Sequence, residues 1–211
     1  TRRAIFKAIM GSEDYQDAFQ RLLKLGLKAQ QDREVALILM DCTAQEKSYN
    51  PFYAHLAAKL CHFNRRYRFS FQLAFWDVLK DLDDCEVRKL MHLGELLGSL
   101  VAQSCLFLTQ ILRSTALTKL SRRGTIFFKV MFSSLLSQMS GNAMVEALFL
   151  RIAEDRENDS LRTGLSFFFQ YHMKQSHAWL SSQDNQVVQE RCLLAEDTLR
   201  APSRHASRDK P

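Results

Sequence analysis

Side chains able to do chemistry are present but scattered. The five cysteines, Cys42, Cys61, Cys85, Cys105 and Cys192, are odd in number and widely spaced. A zinc site announces itself by a close Cys or His pair, and no C-x-x-C occurs. Cys42, Cys61 and Cys105 lie in apolar helical stretches, which points to buried, reduced thiols of a cytosolic or nuclear protein rather than a disulfide framework. Nucleophilic catalysis needs a nucleophile, a base and an oxyanion site brought together. The chain has no G-x-S-x-G elbow, no H-E-x-x-H helix and no phosphate-binding glycine loop. His172 and His177 are five apart, a poor spacing for one helix face, and Cys61 and His62 point in different directions on a helix. Asp77 and Asp81 share a face, as carboxylates of a solvated helix surface do. The chain therefore reads as a non-enzyme without metal or cofactor.

Contact with phosphates is the other chemistry available. Arg65, Arg66 and Arg68 cluster beside Tyr67 in what reads as a connection. Lys119, Arg122, Arg123 and Lys129 gather at the start of an apolar helix. Such groups at the corners of a helical stack can reach a nucleic-acid backbone. Basic side chains at helix ends equally meet the negative end of the helix dipole. No RNP-like or zinc-knuckle pattern accompanies them. Lys129-Val130-Met131-Phe132 fits a phosphatase-docking pattern, but docking needs an extended exposed segment, and these four sit in the most apolar part of the chain. Arg204-His205-Ala206-Ser207 resembles a basophilic kinase site within a polar tail.

The elements carrying these residues are helices. Only 7 glycines and 3 prolines occur in 211 residues, so elements should be long and tight turns few. That excludes a many-stranded sandwich or barrel. Tyr15, Phe19, Leu22, Leu23 and Gly26 follow helical spacing, with Ser12 expected as the N-cap. Val35, Ile38, Leu39 and Cys42 repeat the pattern. Asn50-Pro51 reads as an N-cap followed by proline in the first turn, leading into Phe52, Leu56 and Leu60. Phe71, Phe75, Val78, Leu79 and Leu82 form a stripe ending in the acidic turn from Asp81 to Asp84. On the next helix Gly94 and Gly98 would let a neighbour approach closely. Residues 125–139 are apolar on all sides and predict a central helix. Met144 to Ile152, Leu161 to Met173 and Val188 to Leu199 complete nine or ten helices. Consecutive hairpins of this kind stack into an all-α, HEAT/armadillo-like α-solenoid. The expected division is a helical-repeat domain over 1–199 and a basic, disordered tail over 200–211. The net charge of +6 is concentrated in the first 66 residues and the tail. No run of 18 apolar residues exists, so no membrane span is expected. Because the chain starts at Thr1 rather than Met, an upstream part is expected.

One resemblance adds to this. Arg2-Arg3-Ala4-Ile5-Phe6, Ile9-Met10-Gly11-Ser12-Glu13-Asp14 and Leu22-Leu23-Lys24-Leu25 resemble the opening of an MI domain, the helical C-terminal domain of translation-initiation factor four-G and its relatives. The runs Gln45-Glu46-Lys47-Ser48-Tyr49-Asn50-Pro51-Phe52-Tyr53 and Arg65-Arg66-Tyr67-Arg68-Phe69 resemble the nucleolar branch of that family. So do Phe75-Trp76-Asp77, Arg151-Ile152-Ala153 and Leu161-Arg162-Thr163-Gly164-Leu165. A spliceosomal branch shares the Gln-Glu-Lys/Arg run. The similarity covers most of residues 1–175, is strong over 1–80 and is looser over 85–140.

The resemblance implies a non-catalytic scaffold of the nucleolus, working in small-subunit and pre-rRNA maturation. It implies pre-ribosomal protein partners and a DEAD-box RNA helicase of the eIF-four-A class, engaged mainly by an upstream domain. Helicase-binding MI domains use acidic side chains on a middle helix. The counterpart here, Phe71 to Leu82, carries only Asp77 and Asp81 as acids, and Trp76 is expected to pack against the next helix. Tyr49, Asn50 and Tyr53 at the hairpin turn, with Asp77 and Asp81, are the candidate partner contacts. Arg65, Arg66, Arg68, Arg122 and Arg123 are the candidate contacts to pre-rRNA. The alternatives are a direct RNA-binding module or the equivalent domain of a spliceosomal scaffold.

Overall fold

A computed structural model describes residues 1–200. Eleven α-helices follow one another: α1 Arg2–Met10, α2 Tyr15–Lys24, α3 Asp32–Gln45, α4 Pro51–Phe63, α5 Arg65–Lys80, α6 Val87–Ala102, α7 Leu108–Ile111, α8 Arg122–Gln138, α9 Asn142–Glu154, α10 Asp159–His172 and α11 Ser182–Arg200. Short 3-10 turns precede α3, α6 and α10. Among the described residues there is no strand. The all-α solenoid expected from the spacing is the observed fold. Residues 201–211, with the tail and its kinase-like pattern, lie outside the described residues. No described helix is long and apolar enough to cross a membrane.

Local chemistry sets the helix boundaries. Asn50 Oδ1 accepts from the Phe52 amide, and Pro51 fills the first position of α4, as the sequence predicts. Asn64 alone separates α4 from α5 and caps the latter by accepting from the Arg66 amide. Ser121 caps α8 by accepting from the Gly124 amide. The expected Ser12 cap is wrong. Asp14, immediately before α2, accepts from the Gln16 and Asp17 amides at 2.8 Å each. Ser12 instead donates to the Ile9 carbonyl and closes α1. Gly26 is not on the α2 stripe; it turns the chain beyond the helix with φ +58°, a conformation other residues enter only with strain. α1 itself, carried by buried Ile5, Ala8 and Ile9, is an element the apolar count left out.

Two packing regions meet at α6. On one side α6 packs against α3 and α4, around the fully buried Leu39, Leu56, Leu96 and Leu97. On the other it lies against α8 along Gly94 and Gly98. A Cβ on Gly94 would stand 2.9 Å from the Phe127 carbonyl oxygen. One on Gly98 would collide with the Met131 carbonyl and stand 2.7 Å from Ser134 Cβ. The expected close approach is thus present, backbone against backbone. Beyond α8 a phenylalanine cluster ties the later helices together. The rings of Phe132 and Phe169 lie edge to face at 5.0 Å, and Phe149 meets Phe169 at 5.4 Å, the geometry aromatic pairs prefer. Lys129-Val130-Met131-Phe132 is mid-helix, with the three apolar residues buried. It is core, as expected.

Replacing Gly98 tests the α6–α8 contact. Gly98→Ala should destabilise the chain by about 2–3 kcal/mol despite alanine's better helix propensity. Gly141→Ala, where a Cβ meets nothing within 4 Å, should change stability by less than about 0.5 kcal/mol. Urea unfolding of both variants gives the comparison.

Candidate interaction surfaces

The hairpin turn before α4 faces inward. Tyr53 is only 3% exposed, and its hydroxyl donates to Glu46 Oε1 at 2.8 Å. Tyr49 is half-buried, with a phenol oxygen that is buried and without a partner. Burial pushes this phenol up to about 12, partly offset by the nearby Ser99 hydroxyl. Asn50 is occupied with capping. This trio builds the corner, and Tyr53 also lines a surface groove.

The predicted arginine clusters are also differently placed. Arg65, Arg66 and Arg68 are not in a connection but on the first turns of α5. Arg66 Nε reaches Asp32 Oδ2 at 3.3 Å, and the Asp32 side chain is 4% exposed. Arg68 donates to the Cys61 carbonyl near the end of α4. Arg123 donates to the carbonyls of Asp83 and Cys85, closing the 3-10 turn before α6. Arg88 reaches the Glu46 carbonyl, Arg191 those of Leu136 and Met139, and Arg162 that of Leu199. Helix C-termini leave carbonyls unsatisfied and carry partial negative charge, so a guanidinium there is favourable. Much of the cationic excess thus serves helix ends. Arg65 and Arg122 are exposed.

Asp77 and Asp81 line a shallow groove between α3 and α5. Asp77 pairs with Arg33 at 2.8 Å and with Lys80 at 3.5 Å. Trp76, expected against the next helix, reaches the end of α7. It is half-buried, and its indole N–H donates to the carbonyls of Gln110 and Ile111 at the end of α7. There it forms one wall of a cleft of about 680 Å³, lined also by Lys80, Arg113 and Lys119, with Asp83 the acid among the lining residues. Neither Arg113 nor this cleft was evident from spacing, because the residues come from segments 30 and more apart.

A second surface was also missed. α1 presents Phe6 at 48% and Met10 at 53% exposure. Together with Ile38, Cys42 and Tyr53 they line a groove of about 470 Å³, with Arg2 and Arg3 contributing to its lining alongside Asp41 and Glu46. The signal lay in the sequence. Phe6 and Met10 are four apart and share a face of α1, about 100° around the helix from the buried Ile5 and Ile9.

The cysteines are all free thiols, and four are buried. Burial pushes the Cys42 thiol up to about 11 and the Cys192 thiol up to about 12, so neither is poised as a thiolate. His62 pairs not with Cys61 but with the Cys105 sulfur, at 3.5 Å. Cys105 is wholly inaccessible, so no substrate reaches this pair in the folded chain.

Stacked helix pairs with an apolar groove and a basic cleft define a helical-repeat interaction domain. The family model of the MA3 domain, the domain type also called MI, matches residues 1–107. The chain belongs to the MA3 family, whose members are generally non-catalytic scaffold domains. It is 38% identical over 199 residues, 94% of its length, to the human protein named nucleolar MIF4G domain-containing protein 1. It is 35% identical over 156 residues, 70% of its length, to fission-yeast suppressor of glycerol defect protein 1. It is 30% identical over 141 residues, 65% of its length, to a mouse homolog of the pre-mRNA-splicing factor CWC22. It spans 23%, 20% and 15% of these relatives, respectively.

The Arg66–Asp32 pair separates structural from surface arginines. Arg66→Ala leaves the Asp32 carboxylate buried without its cation and should cost about 1–3 kcal/mol. Arg65→Ala should stay within about 0.5 kcal/mol of the parent. Urea denaturation of the two variants distinguishes them.

Proposed function

We propose that this chain is the MI-type interaction domain of a nucleolar scaffold of ribosome biogenesis, without catalysis of its own. The observation that supports this most is identity near 38% across 94% of the chain with a protein named as nucleolar and MIF4G-containing. The spliceosomal relatives match at lower identity over less of the chain, which favours the nucleolar reading. In this reading the domain serves maturation of the small subunit and its RNA. It holds pre-ribosomal proteins, while an upstream domain engages an eIF-four-A-class DEAD-box helicase.

The α1–α3 groove is the partner surface, since exposed Phe6 and Met10 offer apolar area at no structural cost. Asp77 and Asp81 are a secondary candidate for a basic partner. Tyr49, Asn50 and Tyr53 contribute by holding the corner beside the groove.

A direct RNA contact is the second reading, favoured by the cleft of Trp76, Lys80, Arg113 and Lys119. Cations beside an aromatic wall suit a phosphate and a stacked base. Exposed Arg65 and Arg122 are the members of the predicted arginine set with side chains open to such contact.

Rescue of cells depleted of the full-length protein tests the scaffold. The parent should restore pre-rRNA processing, and the double variant Phe6→Glu, Met10→Glu should fold normally yet leave small-subunit precursors accumulating. Depletion without any processing defect would remove the ribosomal reading. For the RNA reading, titration of the chain with single-stranded RNA across a salt series is decisive. Arg113→Ala with Lys119→Ala should flatten the slope of log affinity against log salt by about 1.4. An unchanged slope places any RNA contact elsewhere.

A further inference from the structure

A small polar slot opens where α6 and α8 meet the connection between α10 and α11. It holds about 140 Å³ and is lined by Glu95, Ser133, Ser134, Ser137, Gln138 and Trp179, among others. Its rim is built. Asn185 accepts from the His177 amide at 2.7 Å and donates to the His177 and Leu180 carbonyls, which fixes the connection. His177 stacks on Trp179 with ring centroids 4.6 Å apart, and Trp179 keeps 37% of its surface exposed.

Several donors around the slot are already used. Ser134 donates to the Glu95 main-chain carbonyl at 2.9 Å, and Gln138 Nε2 donates to Ser134 Oγ at 2.7 Å. Ser99 donates to Gln138 Oε1 at 2.9 Å, and Ser137 donates to the Ser134 carbonyl at 3.2 Å. What remains is acceptor capacity. The Glu95 carboxylate has no cation within 4 Å among the described residues. Ser133, only 1% exposed, has a buried hydroxyl oxygen with no partner. Ser137 Oγ keeps free lone pairs. A site rich in acceptors, with one desolvated carboxylate and an indole at its mouth, complements a planar, donor-rich cation. A phosphate would meet the like charge of the Glu95 carboxylate.

We infer that this slot receives an arginine side chain of a protein partner, its guanidinium paired with Glu95 and Ser133 and flanked by the Trp179 indole. The slot is separate from the α1–α3 groove and does not depend on the ribosomal reading.

Several groups face Glu95. Tyr49, from the connection before α4, carries a phenol that burial pushes up to about 12, and burial lowers His92 on α6, favouring its neutral form. His172 and His177 are lowered by burial first and by Lys129 on α8 second. Burial raises the Glu95 carboxyl to about 7. A raised carboxyl favours the fold below its unfolded value of 4.5, and this contribution is lost as pH rises through 7. A bound guanidinium needs the ionised form, so it should bind about tenfold more weakly at pH 6 than at pH 8.

The test uses N-acetyl-arginine N-methylamide as probe, followed by NMR of the Ser133, Ser137 and Trp179 amides in the 211-residue chain. Saturable millimolar binding is expected, weaker at pH 6 than at pH 8. It should vanish with the neutral citrulline analogue and in Glu95→Gln, and weaken in Ser133→Ala. Glu95→Gln should remain folded, with a higher Tm than the parent at pH 8. Absence of saturation up to about 50 mM, a free energy poorer than about −2 kcal/mol, would overturn the assignment. Equal binding of citrulline, or undiminished binding to Glu95→Gln, would overturn it as well.

Discussion

Two glycines one helical turn apart set the distance on which the rest of the fold depends. Gly94 and Gly98 bring α6 against α8 so closely that main-chain atoms of α8 occupy the space side chains would need. α6 is also the helix that α3 and α4 pack against. The early helices and the phenylalanine cluster of α8, α9 and α10 are therefore coupled through one interface. The family model ends at residue 107, shortly beyond α6, whereas the similarity to nucleolar relatives continues over most of the chain. Through this contact the matched half and the remainder share one core.

The second organising interaction is arginine on helix ends. Arg68, Arg88, Arg123, Arg162 and Arg191 each donate to carbonyls at or just beyond the end of a helix or 3-10 turn. Short connections leave these carbonyls close to a neighbouring element, and a long forked side chain can bridge the gap. A formal charge of +6 suggests nucleic acid when read as a number. Its location assigns a large part of it to the scaffold. Among the described residues, exposed Arg65 and Arg122 and the cations of the cleft beside Trp76 are not used in this way.

The three surfaces differ in chemistry. The α1–α3 groove is apolar, the Trp76 cleft is cationic, and the slot beside Glu95 is acceptor-rich. A solenoid presents such surfaces side by side because each comes from different helix pairs of one stack. That suits a domain holding several partners together. Cys105 and His62 do meet, with the sulfur buried and His62 exposed.

Helical periodicity was legible because burial repeats every three or four residues. The stripes of α3, α8 and α11, the Asn50-Pro51 cap and the glycine spacing of α6 all stand in the structure as read, whereas the α5 stripe stops short of Leu82, which lies in the 3-10 turn beyond it. The core character of Lys129 to Phe132 stands as well. Which polar side chains face outward was not legible. Tyr53 looks like a turn residue and is buried, because the chain folds back so that Glu46 can receive its hydroxyl. Arg66 and Arg123 look like free cations and are bound to Asp32 and to carbonyls of the turn before α6. Arg113 and the Glu95 slot drew no notice, since each gains meaning from residues remote in sequence, whereas the exposed Phe6 and Met10 share a helix spacing that was passed over. The sequence by itself determined the helices, their apolar faces and the family, because these depend on local spacing. The tertiary structure alone decided which charges are spent on the fold and which are left for partners, because that depends on what each side chain meets across the stack.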